Sequence, residues 1–220
     1  MNETNILKLK TLLTKLSSKV HTQDEYPTPL KNIMGVDVAY CGEKALTVGV
    51  LFSWPELQQL QIFHRIDTVK FPYIPSMLSF REGTIIIRLL RSLLMKPDIL
   101  MVNAHGIAHP LQCGCASYIG VLTDTPTIGV SKTEICGETI KCEGEKDIAY
   151  LKFNSKIIGA VINPDKNSRR IIVSPGHRVS LKTAVQITLK TLGKSRLPII
   201  LEEAHRRATK LSGELLREQP

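Results

Sequence analysis

Three groups of residues carry side chains that could do chemistry. The first is Asp37, a carboxylate inside the otherwise apolar run Ile33-Met34-Gly35-Val36-Asp37-Val38-Ala39. A charge among apolar residues is costly unless it is paired, hydrogen-bonded, bound to metal or turned to solvent. The second is Glu82, in Ser79-Phe80-Arg81-Glu82. That spacing is a capping box, in which the acid returns to the first backbone N–H of a helix, so these four residues alone favour a structural acid. The third is MVNAHGIAHP, residues 101–110, where an apolar run stops at Asn103 and a small-residue, histidine-bearing turn follows. A short continuous apolar run reads as a buried parallel strand, and ligands bind beyond the carboxyl ends of such strands. Asn103, Ala104, His105, Gly106 and His109 would then line a site, unless the stretch is only a strand and its turn. His105 and His109 have the spacing of two helical metal ligands. However, Gly106 stands where a zinc peptidase needs glutamate, and Pro110 opposes a helix.

The elements that must position these groups can be read from periodicity. Residues 6–20 space Ile6, Leu9, Leu13, Leu16 and Val20 as one face of an amphipathic helix. A loop over 21–32 holds Pro27 and Pro29, and three strand-like runs, 33–39, 45–53 and 57–66, predict an antiparallel meander. Residues 79–95 predict a helix with Ile86, Leu89, Leu90, Leu93 and Leu94 on one face. Strand 98–102, helix 111–122 and strand 127–130 follow. Residues 131–150 have no period and read as a surface excursion. Strands 156–162 and 169–173 are joined by a turn at 163–167. Ser180 would cap a helix ending near Gly193, and Pro198 suits the first turn of a last helix. Meander strands followed by alternating helices and strands predict a mixed α/β sheet with helices on both faces. One domain over 1–220 is expected, with 1–32 as N-terminal helix and linker and 33–220 as catalytic core.

Composition narrows the partners. The 220 residues are 43% hydrophobic with net charge +9, and no apolar segment approaches the ~18 residues of a membrane span. No signal-peptide core is present at the N-terminus, so a cytoplasmic monomer without a membrane partner is expected. Twelve Lys and Arg against four Glu from Lys166 onward leave +8 in the last quarter. Such a face suits nucleic acid, though a solvated basic helix gives the same count. Cys41, Cys113, Cys115, Cys136 and Cys142 are odd in number and irregularly spaced. They match no zinc-finger pattern, and reduced thiols are expected.

Five stretches in order, GVDVAY (35–40), PYIPSMLSFREG (72–83), VNAHGIAHP (102–110), PTIGVSK (126–132) and SPGHRVS (174–180), resemble endonuclease V. That family consists of metal-dependent nucleases that nick strands near deaminated bases, hypoxanthine above all. The resemblance implies a ribonuclease H-like fold and Mg²⁺, with Mn²⁺ able to substitute. It assigns Asp37 and Glu82 to the metal and the catalytic site, and expects aspartate at the third metal position, where this chain has Asn103. It makes Lys132 the active-site lysine that meets phosphate charge, against the alternative of an ordinary surface lysine. His177 becomes a histidine near the scissile phosphate. Pro72, Tyr73, Ile74 and Pro75 become a strand-separating wedge, although Tyr73 could instead pack into the core. His109 lies beside the base pocket, with Ser76, Ala104 and Gly106 around it. The family commonly reads PYIPG and VDGHG, so Ser76 and Ala104 also depart from it.

The implied reaction is a cut at the second phosphodiester bond 3′ to a deaminated base, in DNA or RNA, as part of repair. A competing expectation is a lesion-binding protein in which Asn103 has removed most hydrolysis. A basic nucleic-acid protein without lesion preference leaves the PYIP and SFREG stretches unexplained.

Overall fold

The computed structural model describes residues 3–141, 147–163 and 169–217. Cys142 and all but the first residue of the expected 163–167 turn lie outside them. The elements run α1 (Glu3–Ser17), β1 (Asn32–Cys41), β2 (Lys44–Ser53), β3 (Gln59–Thr68), a π-helical turn (Ser79–Gly83), α2 (Thr84–Ser92), β4 (Ile99–Val102), α3 (Cys115–Thr123), β5 (Thr127–Ser131), β6 (Glu138–Lys141), β7 (Ile148–Phe153), β8 (Lys156–Ile162), β9 (Ile171–His177), α4 (Leu181–Lys190) and α5 (Ile199–Arg217). The strands form one sheet in the order β3-β2-β1-β4-β5-β9-β8-β7-β6. The expected meander is present, since β1 pairs β2 and β2 pairs β3 antiparallel. The centre is parallel, β1 with β4 and β4 with β5.

Alternate residues of the central strands bury opposite faces, as the two-residue period of a strand requires. Ile33, Val48, Val50, Met101 and Val130 pack against Ala184 and Ile187 of α4 and Ile200, Leu201, Ala204 and Ala208 of α5. Met34, Val36, Leu100 and Val102 face the other way, onto Leu13 and Leu16 of α1, Ile86 and Leu90 of α2 and Ile119 of α3. The helices therefore cover both faces. No described helix is long and apolar enough to cross a membrane.

Five expectations are corrected. The 79–95 helix is a π turn followed by α2, and it stops at Ser92. Its capping box is not formed, because Leu78 takes the cap position without a side-chain bond and Ser79 is buried inside the π turn. The excursion at 131–150 contains β6 and the start of β7, whose Glu138↔Lys152 and Ile140↔Tyr150 pairs build a sheet edge. That hairpin was hidden because its outer face is exposed and its apolar residues are sparse. The helix expected at 111–122 begins only at Cys115, and β9 runs on through Pro175 to His177 rather than ending at 173.

Candidate functional site

Register explains why Asp37 and Asn103 meet. Val36 pairs with Val102 across the parallel β1–β4 ladder, so the next residue of each chain emerges at the same carboxyl edge. The Asn103 carboxamide donates to Asp37 Oδ1 at 3.0 Å. Helix α5 supplies a third group. Gly35 lets it lie close on β1, since a Cβ there would stand 2.3 Å from the Ile200 carbonyl oxygen. About a turn and a half further along α5, His205 Nδ1 donates to Asp37 Oδ2 at 2.6 Å. A carboxylate only accepts, so Nδ1 carries the hydrogen and Nε2 is left facing outward. Asp37 itself is 8% exposed.

Glu82 joins this group from the π turn. Its Oε1 accepts from the Tyr40 hydroxyl at 3.1 Å, and Tyr40 is the last residue of GVDVAY. The Arg81 guanidinium lies 4.4 Å from the centre of the Tyr40 ring and donates to the Phe71 carbonyl. Burial pushes the Glu82 carboxyl up to about 7, and the nearby Asp37 charge adds to this, although the Tyr40 bond works in the opposite direction. Burial, with the Glu82 charge, likewise raises the Tyr40 phenol.

The base-sized pocket lies beside them. About 230 Å³ in volume, it is lined among others by Tyr73, Ile74, Ser76, Asn103, Ala104 and His109. Tyr73 is 71% exposed, so the core-packing alternative for it does not hold. Pro72 and Pro75 are exposed on the same loop. Ser76 adopts a left-handed backbone at φ +60°, a conformation that favours glycine, and its carbonyl oxygen stands 2.9 Å from His109 Nε2. A carbonyl only accepts, and His109 Nδ1 already accepts from the Leu111 N–H. His109 is therefore a neutral Nε2–H tautomer, and burial lowers its pKa to about 4. Gly106 does not line the pocket; it lies beneath, its N–H on Ser174 Oγ and its Cα against Pro175.

Lys132 follows β5 at the same carboxyl edge and lines this pocket too. The structure does not bring His177 there. It pairs with Thr127 at the start of β5, the opposite edge of the sheet, roughly 13 Å of strand away from Ser131. His177 instead accepts the His21 N–H at 3.2 Å and stands 3.8 Å from Asp124. His205 is the histidine that meets Asp37 at the carboxyl edge. No local motif marks it in the sequence, where it stands between Ala204 and Arg206 in a charged helix.

The donors suit a hard divalent cation by chemistry. Asp37 and Glu82 are oxygen donors, and since burial above all disfavours the bare Glu82 carboxylate, a bound cation would stabilise its charged form. Asn103 fits through its carbonyl oxygen but brings no charge. Among the described residues, no three His, Cys, Asp or Glu side chains already stand at metal-holding distance.

Comparison with known proteins agrees with this geometry. A family model described as endonuclease V matches residues 14–206. The endonuclease V of Dictyoglomus thermophilum is 37% identical over 213 residues, 93% of this chain and 92% of its own. The solved endonuclease V of Streptomyces avermitilis superimposes with a TM-score of 0.81 at 30% identity, covering 96% of this chain and 92% of that one. The fold is shared with Ciona intestinalis endonuclease V, solved with a 24mer DNA containing an inosine followed by a ribo-adenosine (TM-score 0.83, 24% identity, 97% and 100% coverage). The sheet order, the helices on both faces and these likenesses make the fold ribonuclease H-like, and the chain belongs to the endonuclease V family.

Proposed function

We propose that this chain is a metal-dependent endonuclease that nicks nucleic acid at the second phosphodiester bond 3′ to a deaminated base such as hypoxanthine. The observation that carries this reading is the adjacency of two features. Asp37 holds Asn103 and His205 at one sheet edge, and a pocket behind an exposed aromatic loop opens beside them. The inosine-containing DNA bound by the Ciona relative supports the same substrate class.

Asp37 and Glu82, with the Asn103 carbonyl, would hold Mg²⁺ or Mn²⁺. When bound, the cation supplies an activated water and charge neutralisation at the leaving oxygen. The chain's own groups do the rest. Tyr73 and Ile74 occupy the gap left by the extruded base, which sits in the pocket beside neutral His109. Lys132 places a cation near the phosphate. His205, fixed through Nδ1 by Asp37, presents Nε2 as a site that can take or give a proton at the scissile group.

A second reading is a lesion-binding protein with little hydrolysis. It is favoured by one specific contact, the amide nitrogen of Asn103 facing Asp37 where the family carries a third carboxylate. A nicking assay on inosine-containing DNA and RNA, with Mg²⁺ and with Mn²⁺, separates the two. Inosine-dependent cuts at the stated bond support the first reading. Inosine-selective binding without cuts in either metal supports the second.

A further inference from the structure

A second groove adjoins His205. About 260 Å³ in volume, it is lined by Lys132, Ser195, Arg196, Leu197, Glu202 and His205. Shared side chains connect it with the base pocket. Asn103 lines the pocket and bonds Asp37, while His205 bonds Asp37 and lines the groove. Lys132 lines both cavities. The carboxylate centre therefore lies between two openings rather than at the end of one.

Arg196 is held ready in this groove. Its Nε donates to the Arg170 carbonyl at 2.8 Å and one terminal nitrogen donates to the Lys132 carbonyl at 2.5 Å. A guanidinium has five N–H donors, so three remain for a ligand. It stays charged at any working pH, and two main-chain anchors have already fixed its rotamer, which lowers the entropy lost on binding an anion. Lys132 adds a second cation. The one acid in the lining, Glu202, accepts from the Ser195 hydroxyl at 2.6 Å. That wall suits a sugar hydroxyl, and the Arg196 wall suits phosphate.

We infer that this groove binds the nucleotide beyond the scissile phosphate, on its 3′ side, with the following phosphate on Arg196. The inference rests on the proposed function, which puts the altered base in the first pocket and the phosphate to be cut at Asp37. A strand so placed must continue past His205, and the groove with its two cations is the opening that His205 and Lys132 share with that path.

The test measures binding of inosine-containing single strands to the full chain in EDTA, across a range of salt. One strand extends several nucleotides beyond the phosphate to be cut, and the other ends at that phosphate. The parent should bind the extended strand about tenfold more tightly, with a salt slope steeper by about 0.7 for each added phosphate contact. Arg196→Gln should lose most of the tenfold advantage while binding the short strand like the parent. Arg196→Lys, which keeps a charge but not the fork, should fall between them.

Equal affinities and slopes of the parent on the two strands overturn the assignment without any variant. So does full retention of the advantage by Arg196→Gln. An equal loss on both strands also overturns it, because Arg196 then only braces the Lys132 backbone. These outcomes leave the proposed function standing if inosine is still preferred over a matched control. A parent with no inosine preference on either strand refutes the proposed function, and this assignment with it.

Discussion

The two edges of the sheet each hold a histidine near an aspartate, yet they are built for different ends. At the carboxyl edge, the Asp37 charge acts on the buried Glu82, and the neutral Asn103 and a half-exposed His205 are what meets Asp37. At the opposite edge, the acids already have partners within the chain. Arg178 bridges Asp124 at 2.9 Å and Glu25 at 3.5 Å, and His177 is packed between His21 and Asp124. Asp24 accepts from the Ser180 N–H and the Thr183 hydroxyl, closing the N-terminus of α4. A partnered cluster holds the N-terminal linker on the core, whereas among the described residues neither Asp37 nor Glu82 is in an ion pair with Arg or Lys, which leaves them open to a cation or a proton. Accordingly His177, from the SPGHRVS stretch, packs against the linker, while His205 of α5 reaches Asp37.

The sharpest way to break this contrast is to remove the central acid. Asp37→Ala should abolish metal-dependent nicking, a loss of about 10³-fold or more, with the circular dichroism spectrum unchanged. A full-rate variant would dissolve the distinction between the edges. Asn103→Asp should act in the other direction, raising the Mg²⁺ rate by about two to three orders of magnitude. Lesion affinity in EDTA should barely change. A parent that already cuts as fast as this variant would show that position 103 needs no charge.

The pH dependence of stability should have opposite signs at the two edges. Glu82 keeps its proton in the folded chain up to about 7, whereas an unfolded glutamate releases it near 4.5. Between these values the folded state binds more protons, so stability in EDTA should fall as pH rises from 4.5 to 7, then level. The drop is up to roughly 3 kcal/mol, and Glu82→Gln should remove it in urea titrations. His177 runs the other way. Burial and the Arg178 charge lower its pKa, so its contribution is present above 6.5 and is lost as pH falls below that value. His177→Gln should remove that loss and leave nicking within about twofold of the parent, because it stands at the far edge. A large loss of activity would return His177 to the reaction.

A smaller effect tests the loop over the pocket. Tyr73→Ala should reduce the preference for inosine over a matched control by about tenfold, a stacking-sized change, with less effect on total affinity. Unchanged discrimination would remove the wedge role from Tyr73.

Much of this architecture was legible from residue order. The apolar runs around 33–39, 45–53 and 99–102 have the two-residue period or continuous burial that a sheet centre demands, and the helices carry clear stripes. Asp37 was conspicuous because a charge in such a run needs a reason. The resemblance carried by five short stretches brought Glu82, Lys132 and the 72–76 loop into view together. What the chain could not display was any relation set by register or packing. The capping box at 79–82 is a local pattern that the π turn overrides, freeing Glu82 for Tyr40. His177 and His205 exchange places because the antiparallel pairing of β9 carries one to the far edge, while the close seat of α5 on Gly35 brings the other to Asp37. Side-chain type and local period are properties of sequence. Which edge of a sheet a residue reaches is settled only when strands choose their partners and direction.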